Sequence, residues 1–192
     1  MRRQPRIIGG QAKSHRLRVP VQPAIRPTMD VIREAIFSSL GTEVMGARFA
    51  DLYAGSGAVG IEALSRGATL SVFVDCNRSC TDVIASNLEN IELAERAVVL
   101  TRRLPEAWTQ IAEAYGPFDI VFVDPPYGSA QLLGFAQQLV RGREGLSEEA
   151  IVVLEHEQGE AVLQEPSPEK IKTFGKSQLD IYYIRAAAEG GR

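Results

Sequence analysis

The chain has 192 residues, 45% hydrophobic and 23% charged, the size and balance of one globular domain. No apolar run is long enough to span a bilayer, and the basic N-terminus lacks the apolar stretch of a signal peptide, so a cytoplasmic protein is expected. The net charge of −3 argues against a general polyanion binder. Its distribution is uneven. Residues 1–33 hold eight bases (Arg2, Arg3, Arg6, Lys13, Arg16, Arg18, Arg26 and Arg33) against Asp30, net +7, and the remainder is net −10. A basic arm on an acidic body points to an arm that meets phosphates, the alternative being a merely solvated terminus.

"RIIGG" and "RLRVP", joined by "QAKSH", read as a small hairpin with charged outer positions. Prolines 20, 23 and 27 make the next stretch an irregular connector. Thr28 is a candidate N-cap for a helix over "MDVIREAIFSSL", where Val31, Ile32, Ala35, Ile36 and Leu40 recur at helical spacing and Gly41 is the stop. Arg33 in that helix has an acid partner or an RNA contact open to it.

From Arg48 the pattern is regular. Strands are expected over "RFADLY", "LSVFVD", "RAVVLT", "FDIVFVD" and "AIVVLEHE". Helices are expected between them over "AVGIEALSRG", "NRSCTDVIASNLENI" with Asn77 as a candidate N-cap, "PEAWTQIAEAY" with Pro105 near its first turn, and "SAQLLGFAQQLVRG". Strict alternation with continuous apolar strands predicts βαβ units and a parallel sheet buried on both faces. "EKIKTFGKS" and "QLDIYYIRA" follow with no helix between them, an antiparallel pair closing the sheet edge. Residues 187–192 carry no pattern and are expected to fray. Cys76 and Cys80 read as two half-buried thiols on one helix face, and with His15 and His156 they suggest no metal site.

Two motifs carry chemistry. In "DLYAGSGAVG", Gly55, Gly57 and Gly60 fit G-x-G-x-x-G between a strand and a helix. Such a turn lets a cofactor approach the backbone at a helix N-terminus. Asp75 stands 20 residues after Gly55, at the tip of the second strand. There a carboxylate can accept bonds from two ribose hydroxyls or cap the following helix. Gly60 fits helix packing better than ligand contact. Two roles are open to Asp51: bracing the turn from below, or reaching the cofactor's amino group. The turn alone does not separate a nicotinamide dinucleotide from S-adenosylmethionine.

The second motif is "DPPY", Asp124 to Tyr127, at the tip of the fourth strand. The first and fourth strands flank the crevice of an open α/β sheet, so these residues should face the glycine turn. An exocyclic amino group on a base is a poor nucleophile, because its lone pair is delocalised into the ring. Asp124 and the Pro125 carbonyl supply two acceptors that hold the nitrogen with its lone pair toward an electrophile. The prolines bring no competing N–H. Tyr127 can stack on the base. The methylsulfonium of S-adenosylmethionine is the matching electrophile, and the base must be single-stranded or flipped out. The motif serves any aromatic amino group, adenine or guanine.

"DPPY" with "DLYAGSG" resembles the amino-methyltransferases that use S-adenosylmethionine. "RIIGGQAKSHRLRVP" followed by "IRPTMDVIREAIFSSL" resembles more specifically the bacterial small-subunit rRNA (guanine-N2) methyltransferase family, from Arg6 to the edge strands. The resemblance implies a Rossmann-like class I methyltransferase: a mostly parallel, twisted, seven-stranded sheet with an antiparallel edge strand and a small N-terminal β-hairpin arm. It implies an arm over 1–28, a methyltransferase domain over 29–186 and a tail over 187–192. The implied reaction is methylation of a guanine N2 in 16S rRNA within an assembling small subunit, by a protein expected to be monomeric. An adenine-N6 methyltransferase on DNA or RNA is the runner-up, and a non-catalytic nucleic-acid-binding module of the same fold ranks behind it.

By this resemblance Gly55, Ser56 and Gly57 form the cofactor turn, Asp75 holds the ribose, and Asp124, Pro125 and Tyr127 hold the guanine. Arg26 and Thr28 fall in an Arg-Pro-Thr stretch at the active-site mouth, Thr28 on the cofactor side with Asp51 and Arg26 on the RNA side. Arg6, Lys13, Arg16 and Arg18 would clamp RNA backbone. Where relatives place a polar or acidic residue near the adenine, this chain has "TRRLPEAW", and a backbone N–H of Arg102, Arg103 or Leu104 is available instead. Glu155 is either an active-site wall or a capped strand end.

Overall fold

In the computed structural model, which describes residues 4–20, 30–126, 130–159 and 166–185, the alternating pattern becomes a single sheet with helices on both faces. The elements are α1 (Asp30–Leu40), β1 (Arg48–Leu52), α2 (Ala58–Ser65), β2 (Leu70–Asp75), α3 (Arg78–Asn90), β3 (Ala97–Thr101), α4 (Trp108–Tyr115), β4 (Phe118–Val123), α5 (Ala130–Gly142), β5 (Leu146–Glu157), β6 (Lys170–Phe174) and β7 (Ser177–Ile184). The strand order is β3-β2-β1-β4-β5-β7-β6. The first five strands pair in parallel, and β7 runs antiparallel to both β5 and β6. This is a Rossmann-like α/β sheet. The antiparallel strand sits one place inside the edge, and β6 takes the edge itself. The reason is burial: β7 is buried along most of its length, whereas β6 presents Lys170, Ile171 and Thr173 to solvent. Charge on an edge strand discourages further pairing.

Successive strand residues point to opposite faces, which divides the core in two. Phe49, Phe73, Phe122, Ile151 and Val153 pack with α1, α2 and α3. Val72, Val121, Val152 and Tyr182 pack with Trp108 of α4 and Phe135 and Leu139 of α5. No helix among the described residues is long and apolar enough to cross a membrane.

Two local expectations change. α4 begins at Trp108, because Trp108 N–H donates to Pro105 C=O in a tight turn; Pro105 therefore precedes the helix. Cys76 lies before the Asn77 cap and is exposed, while Cys80 is buried in α3, so the two thiols do not share a helix face. Burial holds the Cys80 thiol up at about 12, far from a reactive thiolate.

The arm is a hairpin closed by an antiparallel bridge between Arg6 and Arg16. Its apolar residues Ile7, Ala12 and Leu17 are buried in the core shared by α1, α2 and α3. Glu62 of α2, fully buried, accepts the Ile8 N–H and the Gly9 N–H, each at 2.7 Å, and Arg66 Nε at 2.8 Å. Ser65 Oγ accepts from Ala12 N–H and donates to Gly9 C=O. Gly10 has φ +76°, and a Cβ there would stand 1.9 Å from the Ser65 carbonyl oxygen, so only glycine fits. The Arg18 backbone exchanges two bonds with the Asn87 amide of α3. Arg33 resolves to its acid-paired alternative: it is buried, 2.9 Å from Asp30, and donates to Arg6 C=O. Arm and body share one core and differ mainly in surface charge.

Candidate active site

β1 runs on to β2 and β3 in one direction, and β4 and β5 continue the sheet in the other. The crevice at this reversal lies beyond the carboxyl ends of β1 and β4. Asp124 N–H donates to Leu52 C=O at 3.3 Å, which ties the two strand tips together.

On the β1 side the turn is held by its own acid. Gly55 N–H donates to Asp75 Oδ2 at 2.9 Å, and Asn77 N–H donates to Asp75 Oδ1 at 2.8 Å. Asn77, not Asp75, caps α3, by accepting the Ser79 N–H. The Cys80 thiol also bonds to Asp75, and of the carboxylate's four lone-pair sites one stays open to a further donor. Gly57 has φ +73°, and a Cβ on it would press within 2.8 Å of Ile84. A Cβ on Gly60 would meet the Phe73 ring at 2.4 Å, so Gly60 serves the packing of α2 on β2. Ser56 is buried within the turn. Asp51 takes the bracing position: it is buried beneath the turn and its Oδ2 accepts the Gly60 N–H at 2.8 Å. Burial, then the nearby Asp75, push its carboxyl up to about 8, although the Gly60 bond opposes them.

Tyr53 is a residue sequence reasoning missed. Its φ is +62°, uncommon for a bulky residue, and its buried hydroxyl has no hydrogen-bond partner among the described residues. Backbone strain beside an orphaned polar atom marks functional sites. Its only sequence signal was its place just before the glycines.

On the β4 side Asp124 is partly exposed and Pro125 buried. Burial, then Glu155, then Asp51 push the Asp124 carboxyl well above the usual carboxylate range. Burial lifts Glu155 to about 7, against the lowering effects of the Ser177 hydrogen bond and His156. Asp51, Asp124 and Glu155 thus form an acidic floor across three neighbouring strands. Among the described residues no group of His, Cys, Asp and Glu is arranged to hold a metal ion. A groove of about 650 Å³ lined by Trp108, Phe135, Leu139, Arg141 and Glu144 includes none of these carboxyls.

After β3, Arg102 N–H is spent on Asp75 C=O at 3.0 Å, which leaves Arg103 and Leu104 as the candidate adenine donors. The arm's Arg6, Lys13, Arg16 and Arg18 are all exposed, and Arg18 Nη1 donates to Ser86 Oγ on α3. The structure does not bring all four to the crevice. The hairpin tip rests on Ser65 and Arg66, the end of α2 remote from the glycine turn. At 1.5 Å per residue, eight residues put Lys13 roughly 12 Å along the helix from that turn. Arg26, Thr28 and Tyr127 lie outside the described residues.

The family model described as conserved hypothetical protein 95 matches residues 5–183. Ribosomal RNA small subunit methyltransferase D of Escherichia coli (strain K12) is 33% identical over 189 residues, covering 97% of this chain and 93% of that protein. The solved Escherichia coli structure of yhhF superposes with a TM-score of 0.79 at 33% identity, covering 96% of this chain and 99% of the other. An RNA methyltransferase from Salinibacter ruber, solved with S-adenosyl-L-homocysteine, shares the fold with a TM-score of 0.64 at 18% identity, covering 86% and 98%. The chain therefore belongs to the conserved hypothetical protein 95 family, the small-subunit rRNA methyltransferase D type that its sequence resembles.

Proposed function

We propose that this chain is an S-adenosylmethionine-dependent methyltransferase that modifies the exocyclic N2 of a guanine in 16S rRNA during small-subunit assembly. The observation that carries the reading is the Asp124–Pro125 tip of β4 standing beside the Gly55–Gly57 turn of β1, in a chain a third identical to a small-subunit rRNA methyltransferase. The residues fit the cofactor. Gly55 and Gly57 permit close approach at the start of α2, and Asp75 keeps an open acceptor site for a ribose hydroxyl. Bound there, the cofactor supplies an electrophilic methyl group.

The protein's part is positional and electrostatic. Asp124, open to the crevice, accepts one N–H of the amino group. The Pro125 carbonyl accepts the other, and Tyr127 stacks on the base. The four exposed arm cations hold RNA backbone along the α2–α3 side, so the strand reaches the crevice from that face.

The test uses labelled S-adenosylmethionine with small subunits from a strain lacking the protein, followed by nucleoside analysis. N2-methylguanosine is expected, and N6-methyladenosine would transfer the assignment to adenine. Asp124→Asn should slow transfer at least ~100-fold while cofactor affinity holds. Turnover at the unmodified rate would remove the amino-group mechanism.

A further inference from the structure

We propose that Glu155 acts through Asp124: the two carboxyls share one proton, and together they accept the proton that the amino nitrogen loses on methylation. This rests on the methyl-transfer reading above. Val123 pairs with Leu154 in the parallel β4–β5 register, so the next step sets Asp124 opposite Glu155. Phe122 and Val153 both pack toward α1–α3, and alternation brings Asp124 and Glu155 to that same face. Neighbouring strands lie about 4.8 Å apart, which leaves the two carboxyls side by side.

Their surroundings differ in a useful way. Asp124 opens to the crevice, whereas Glu155 is 4% exposed behind it. Glu155 Oε2 is buried with no hydrogen-bond partner among the described residues. An ionised oxygen in that position is costly. A protonated one can donate to Asp124 and satisfies both groups. The other groups acting on the pair are Asp51 on β1, which raises Asp124, and Ser177 on β7 with His156 on β5, which lower Glu155. His156 itself lies 3.1 Å from Asp180. On the helices packed over this face, Arg33 is engaged by Asp30 and Glu62 by the arm.

The charge balance explains the pair. With one shared proton it carries one negative charge and faces one sulfonium. As the N–C bond forms from the nitrogen lone pair, the C–S bond breaks with its electrons on sulfur, and the N–H proton passes to Asp124. The pair then holds two protons and is neutral, as is the thioether. No net charge is stranded in the buried site, and the extra proton leaves to solvent with the product.

The experiment follows the Asp side-chain ¹³C signals of the protein with pH, with Asp124→Asn identifying the Asp124 signal. In Glu155→Gln the two steps that the pair imposes on the Asp124 signal should collapse into one, because only a single carboxyl is left to titrate. Single-turnover methyl transfer at pH 7.5 should fall ~10–100-fold, with cofactor affinity and KM for RNA unchanged. An Asp124 titration unchanged by the substitution, or an unchanged rate, overturns the pair. If Gln at 155 does not fold, Ser177→Ala carries the test: losing that hydroxyl must raise the Glu155 step, and an unmoved step is again fatal. The signals are read without turnover. The collapse to one step in a protein that never methylates rRNA would therefore sink the function while the pair stands.

Discussion

Glu62→Ala should detach the arm. Glu62 is 0% exposed and accepts three bonds, from Ile8 N–H, Gly9 N–H and Arg66 Nε. Alanine strands both backbone donors. Each buried, unpaired donor costs about 1–3 kcal/mol. Ile8 and Gly9 are only half-buried and recover part of that from water, so a total of about 2–4 kcal/mol is expected. Arg66 is 29% exposed and adds little, because water replaces its partner. Since Ile7, Ala12 and Leu17 belong to the core of α1–α3, the loss is felt globally. For a chain of this size it lowers Tm by roughly 5–15 °C. Glu62→Gln keeps one acceptor and turns an amide N–H toward the other donor, so it should fall between. Hydrogen exchange at Ser14 and Leu17, whose amides close the hairpin, should accelerate in the same order. A Tm within a degree of wild type, with unaltered exchange in the arm, would refute Glu62 as its anchor.

Two further outcomes are expected. Asp51 titrates at about 8 in the folded protein and near 3.9 unfolded, so the folded state holds the extra proton, and its stabilising effect is lost as pH rises toward 8. Between pH 6 and 8 this removes about 2 kcal/mol, so wild-type Tm should fall over that range and Asp51→Asn should fall less; equal slopes would mean that Asp51 is ionised throughout. Replacing Arg16 and Arg18 by Ala should flatten the salt dependence of RNA binding by about 0.7 for each phosphate the arm no longer neutralises, measured by titration at several salt concentrations, and an unchanged slope would remove them from the RNA surface.

The parallel sheet was legible because its strands are continuous apolar runs separated by helical spacing, two periods that do not mix. "LSVFVD" became β2 without a shift, and Asn77 capped α3 as its residue type required. Boundaries failed where a local bond competes with periodicity. The Pro105–Trp108 turn takes the residues that would have opened α4. The place of β7 inside the edge followed from a balance between two neighbouring strands that no pattern within either one carries. The arm was legible as a hairpin but not as part of the core. Ile7 and Leu17 looked like apolar positions on a charged ribbon, and their burial depends on Glu62 and Ser65, more than 40 residues away.

The site divides along the same line. The glycine turn and Asp124 are local signals, because each needs special backbone or a special pair of acceptors at one strand tip. The acidic floor is not local. Asp51, Asp124 and Glu155 are spread over more than 100 residues of chain, and only the registers of β1, β4 and β5 bring them to one face. A single carboxyl buried there would stay largely protonated and offer the amino group a poor acceptor. Two side by side repel a second charge but hold the first, so one remains an acceptor at neutral pH while its neighbour keeps the proton. As it ionises toward pH 8, Asp51 adds to that repulsion from below, while its own bond to Gly60 fixes the start of α2. The same burial that raises these groups therefore links the cofactor turn to the methyl acceptor. A change at Asp51 should be felt at Asp124 without any contact between them.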